Sequence, residues 1–159
     1  MTMKKTFFLL LSFCITTHTF LKASTVDDLI KQTHLVRLAQ SQTYLALLDV
    51  IMQADEQLQI YHPELPLTRD MEASNVHLQK ASQSLKLLEQ KQKRVTPNDI
   101  SSIVAQLITT HQFLHSACLQ TVSTYHLEEK GMVMLSVTMY HINADRSLNT
   151  LRLALTNLA

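Results

Sequence analysis

His111, His115 and Cys118 are spaced four and three residues apart, so on a helix they share one side. A turn near residues 129 and 130 folds the next stretch back and sets Cys118 level with His141. His141 falls on the inward stripe of that second stretch. Imidazoles and a thiolate would then converge between two helices, a donor set suited to copper or zinc. Helix-bundle cores are a known location for such sites. The competing reading is packing, and it is the stronger of the two. The chain has eight histidines, enough for several to land on apolar stripes by chance. Cysteine is among the most buried residue types for packing reasons alone. His77 approaches the same layer, but the long first loop leaves its register open.

Other chemistry finds less support. Met52, Met71, Met132, Met134 and Met139 would suit a soft metal or a His/Met haem, but methionine at helical spacing is usually core filling. Haem attachment through C-x-x-C-H is absent. So are H-E-x-x-H, the P-loop, G-x-S-x-G and G-x-G-x-x-G. A carboxylate-bridged di-iron site needs two E-x-x-H motifs; His126 to Glu129 is the reverse order and occurs once. These absences predict a protein that is not an enzyme, and its cofactors, if any, are unknown from the sequence.

The elements that must position these residues are helices. One glycine and three prolines in 159 residues leave little material for tight turns or hairpins. Breaks at His62 to Asp70, Val95 to Asp99 and Gly131 divide the chain into four amphipathic stretches. The first helix is predicted from Val26 to Tyr61, with Thr25 and Asp28 as a capping box. Its inward stripe is Val26, Ile30, Thr33, Val36, Gln40, Tyr44, Leu47, Ile51, Ala54, Leu58 and Tyr61, widened by Leu35, Leu38, Leu45 and Leu48. The second runs from Met71 to Arg94, capped by Thr68 or Asp70. The third starts at Pro97 behind Thr96, with Asp99 at its third position, and continues to Leu127; Gly131 supplies the left-handed residue beyond it. The fourth covers Val133 to Leu158 and has no good cap before Met134. A shorter final helix capped by Asn143 or Asp145, or a strand at Met132 to Ile142, is the weaker alternative for this stretch. Four such helices with short connections make an all-α, up-down-up-down four-helix bundle, the last two helices pairing as an antiparallel hairpin.

The N-terminus reads as an export signal. Lys4 and Lys5 precede the apolar run Phe7 to Ile15, which is too short to span a bilayer. Cleavage after Ala23 would leave 24–159 as a single helical domain, with Thr19 as an alternative cut. It removes Lys4, Lys5 and Lys22 and leaves 11 basic against 13 acidic residues, a net charge of −2. That balance argues against a nucleic-acid footprint. The local basic cluster Lys86, Lys91, Lys93 and Arg94 sits where cations suit a helix C-terminus. The mature chain keeps Cys118 alone, so no internal disulfide forms, and no second apolar run reaches membrane-span length. Taken together, the residues predict a periplasmic or secreted helical bundle that binds a protein partner of unknown identity. The alternative is a copper- or zinc-binding bundle using His111, His115, Cys118 and His141.

Overall fold

A computed structural model describes residues 25–58, 66–91, 95–126 and 134–157. The expected export signal, Tyr61, Gln92 and Gly131 lie outside the described residues. Four helices form the described chain: α1 (Val26–Leu58), α2 (Pro66–Gln90), α3 (Pro97–Tyr125) and α4 (Leu135–Thr156). No strand occurs among the described residues. None of these helices is long and apolar enough to cross a membrane.

The helix starts follow local chemistry. Thr25 and Asp28 satisfy one another's backbone N–H groups at 3.1 and 3.2 Å. Thr96 and Asp99 do the same at α3, with Thr96 N–H donating to Asp99 Oδ2 at 2.9 Å. These are the two capping boxes expected from sequence. The start of α2 differs: it begins at Pro66, five residues before Met71. Proline at the first position gives up no needed hydrogen bond and is fixed near helical φ. Thr68 and Asp70 therefore stand inside the helix, and Asp70 instead accepts from Gln120 Nε2 at 2.6 Å. At the end of α3, His126 takes the left-handed conformation (φ 50°, ψ 44°) and its N–H reaches Val122 O. Histidine is one of the non-glycine residues that tolerate this region. Met134 starts α4 without a side-chain cap. Residues 135–156 are continuously helical, which excludes the strand and the later start at Asn143 or Asp145.

The most extensive interfaces join α2 to α3 and α1 to α4, while the α3–α4 seam is narrower. The last two helices are thus neighbours but not the dominant pair. Helix α1 also touches α3, whereas α2 and α4 do not touch.

Along each helix the core divides in two. One cluster contains Leu29, Val36, Leu78, Leu85, Ile100, Leu107, Leu148 and Leu151. The other contains Leu47, Val50, Leu67, Met71, Ala117, Tyr125 and Val137. Between them α1 places Gln40 and Thr43, α2 Ser74, α3 Thr110 and α4 Ala144, all fully buried. This is a polar waist. Its hydroxyls bond to carbonyls of their own helix: Thr43 to Ala39, Ser74 to Met71, Thr110 to Gln106. Gln40 crosses the bundle, donating through Nε2 to Leu107 O at 2.8 Å, while its Oε1 is buried without a partner.

Leu35, Leu38 and Leu45 do not widen the buried face of α1; all three are exposed. They lie on the opposite side of the helix from Leu29, Val36 and Leu47, where no other helix reaches.

Two substitutions separate packing from polar cost. Leu107→Ala is expected to destabilise by about 2 to 5 kcal/mol, since it opens a cavity in a closed core. Gln40→Met removes an unpartnered buried acceptor at nearly constant volume, and its urea midpoint should match or exceed the parent's. A midpoint for Gln40→Met as low as that of Leu107→Ala would contradict this account of the waist.

Candidate functional site

The third helix carries His111 and His115 one turn apart, on the flank that faces α4. On α4, His141 precedes Ala144 and Leu148 at the three- and seven-residue spacing of the buried stripe. It therefore comes to the α3–α4 seam at the level of the waist. The contacts place three imidazoles together. The His111 and His141 rings stack with centroids 4.5 Å apart and planes within 2°. His115 Nδ1 lies 3.1 Å from His141 Nε2, with the ring centroids 5.3 Å apart. One turn further along α4, Asp145 Oδ1 stands 3.4 Å from His111 Nε2. A cavity of about 490 Å³ opens onto this group, lined also by Gln112, Ile142 and Arg146. A cleft of about 590 Å³ at the α2–α3 end is lined by Leu87, Lys91 and Asp99, but its carboxylate is committed to the Thr96 cap.

Burial sets the charge of the cluster. It pushes the His111 pKa below the ordinary histidine value, with Asp145 opposing and His115 adding to the fall. It pushes His141 down to about 4, helped by His111 and His115 and opposed by Asp145. Both rings are therefore neutral at pH 7, which is the state that stacks without repulsion and the state that ligates metals. With Nε2 of His111 facing a carboxylate, its proton belongs there and the Nδ1 lone pair is left free. His111 Nδ1 and His141 Nδ1 are both buried and without a hydrogen-bond partner.

Of the four residues read from sequence as a metal set, His111, His115 and His141 come together and Cys118 does not join them. The register of α3 on α4 differs by one turn from the expected one, so His115 rather than Cys118 lies level with His141. A shift of this size is within what uncertain helix ends allow. Cys118 packs instead against the second apolar cluster, which holds Leu47, Ala117 and Val137, and burial pushes its thiol up to about 12. His77 reaches the same level on the other flank of α3, stacked on Phe113 at 5.9 Å. As the side chains stand, no three His, Cys, Asp or Glu groups among the described residues converge as metal ligands do. Asp145 enters the sequence reading as a candidate helix cap and not as a member of the site. Its i+4 spacing from His141 was the available signal.

Two measurements follow. In metal-free protein, folded His141 holds its proton only near pH 4, whereas the unfolded chain takes it up near 6.5. Stability from this group is full above pH 6.5 and declines as pH falls toward about 4. Urea midpoints of the parent should therefore drop more steeply over that window than those of His141→Gln; parallel curves would refute the burial account. Cys118 in folded protein should react slowly with a thiol probe, and Cys118→Ala should cost about 1 kcal/mol. Rapid labelling without unfolding would show that the thiol is not packed as described.

Comparison with known proteins adds no relative to this picture: no family model, no curated protein and no solved structure matches the chain.

Proposed function

We propose that this chain is an exported, non-enzymatic helical bundle, arranged up-down-up-down, that works by holding a protein partner. The arrangement is supported by contacts that run in opposite senses along neighbouring helices. His111 meets Asp145 while His115 meets His141, and Gln120 meets Asp70 while Lys91 meets Asp99. Along α1 and α3 the sense is shared, with Gln40 at Leu107 and Asp55 at Tyr125.

The observation that carries the binding reading is a second apolar face on α4. Leu135, Met139, Ile142 and Leu153 recur at helical spacing and are 44% to 68% exposed. They lie opposite Val137, Ala144, Leu148 and Leu151, which are buried. Helix α1, the main neighbour of α4, adds Leu38, Leu45 and Met52 at seven-residue intervals, 49% to 61% exposed. Exposed Arg146 and Asn149 interrupt the α4 face before Leu153, so the contiguous patch that calls for cover is Leu135, Met139 and Ile142. A heptad-like stripe suits an amphipathic helix of the partner. Export rests on the N-terminal order of Lys4 and Lys5 followed by Phe7 to Ile15.

A second reading, copper or zinc binding, is favoured by one observation. Two imidazole nitrogens from different helices are hydrogen-bonded at 3.1 Å, a spacing that two nitrogens bound to one such ion would also take.

The test is capture from the native envelope or medium with the mature protein, identified by mass spectrometry. A specific partner retained by the parent and by Leu87→Lys, but lost with the Met139→Lys, Ile142→Lys pair at unchanged circular dichroism, is the expected result. The bait recovered outside the cytoplasm should begin near Ser24. Equal recovery with all three proteins would remove the α4 face as the docking surface.

A further inference from the structure

Three imidazoles and one carboxylate meet at the α3–α4 seam without a satisfied set of hydrogen bonds. His115 Nδ1 and His141 Nε2 share a single hydrogen bond at 3.1 Å, while His111 Nδ1, whose lone pair is free to ligate, is buried and unpartnered. Leaving such groups desolvated carries a cost that a bound species would offset. Asp145 sits on the far nitrogen of His111. A carboxylate in that position fixes the tautomer of a ligating histidine and raises its basicity. The third ring, His115, is exposed, and the adjoining cavity of about 490 Å³ gives room for an ion with water completing its shell.

We propose that His111, His115 and His141 bind one divalent copper or zinc ion at this seam, with Asp145 orienting His111 and Cys118 taking no part. This inference rests on the metal reading given above and fixes its ligand set. The pair His115 Nδ1 and His141 Nε2 is the starting clamp. At metal–nitrogen distances of about 2.05 Å, a 3.1 Å separation subtends an angle of about 100°, between square-planar and tetrahedral values. Binding then requires the parallel rings to fan about χ2 so that the His111 lone pair turns toward the same point. An imidazole set without thiolate selects divalent copper or zinc over copper(I). The site is open to solvent on one side, so one coordination position remains for water or a small anion.

The experiment uses the full mature chain, stripped with a chelator and titrated separately with Zn²⁺ and Cu²⁺ by calorimetry. Each variant is first checked for folding by circular dichroism. One equivalent is expected to bind. His115→Gln, whose ring is exposed and whose loss leaves the core intact, should weaken binding at least 100-fold, as should His141→Gln. Asp145→Asn should weaken it about 10- to 100-fold, the usual effect of losing an orienting carboxylate. Cys118→Ala should leave the affinity unchanged. The copper complex should show nitrogen hyperfine coupling in its electron paramagnetic resonance spectrum. Loss of binding in Cys118→Ala, or full binding in His115→Gln, overturns this ligand set while the metal reading stands. Failure of the parent to bind either ion at tens of micromolar overturns both.

Discussion

The structure depends on where the polar residues in its middle find hydrogen bonds. Thr43, Ser74 and Thr110 hide their hydroxyls against their own helices. Residues satisfied in this way need no cross-helix partner and take little space. Helices can therefore approach closely at that level, and α1 reaches α3 across the bundle. Gln40 is the exception that fixes register. Its amide reaches a carbonyl of α3 at 2.8 Å, and a slip of either helix by one residue would leave both its polar ends buried and unpaired. The two apolar clusters take their places on either side of this layer.

The histidine cluster is the outward continuation of the same layer. At this height α3 and α4 bring His111 and His141 to the edge of stripes whose buried members here are Thr110 and Ala144. The seam is dry enough to discharge both rings and open enough to leave a cavity beside them. Flat rings stacked at 4.5 Å fill the seam as aromatic side chains do, so packing and ligation are not exclusive. The apolar outer face of α4 adjoins this cavity, and Ile142 belongs to both.

Much of this was legible in the residues. Thr25, Asp28, Thr96, Pro97 and Asp99 announce two helix starts because capping is local chemistry. The stripes carrying Val36, Leu47, Leu85, Leu107, Leu114 and Leu148 identify the core because burial follows the helical period. What was not legible depends on contacts between helices. Leu35, Leu38 and Leu45 look like core residues in sequence, and only the position of α1 at a corner leaves them outside. The convergence of His111, His115 and His141 follows from spacing. Choosing between His115 and Cys118 as the partner of His141 requires the register to within one turn, which no local signal carries. Pro66 as a start rather than a stop is a case in which the same residue suits both roles.

The two most extensive interfaces also differ in the length of chain that each must close. Helices α2 and α3 are joined by the short segment 91–96, share the most extensive interface, and have the capping box of Thr96 at their corner. Closing a short loop costs little entropy, and contacts near in sequence form fast. The α1–α4 interface is nearly as extensive yet joins Val26 to Leu155 in one cluster, almost the full described length of the chain apart. That pair therefore closes the longest loop in the fold and carries the largest entropic cost of closure. The two interfaces thus differ in kind: one holds neighbouring segments together, while the other ties the two ends of the described chain, so damage at either end is felt in the same seam.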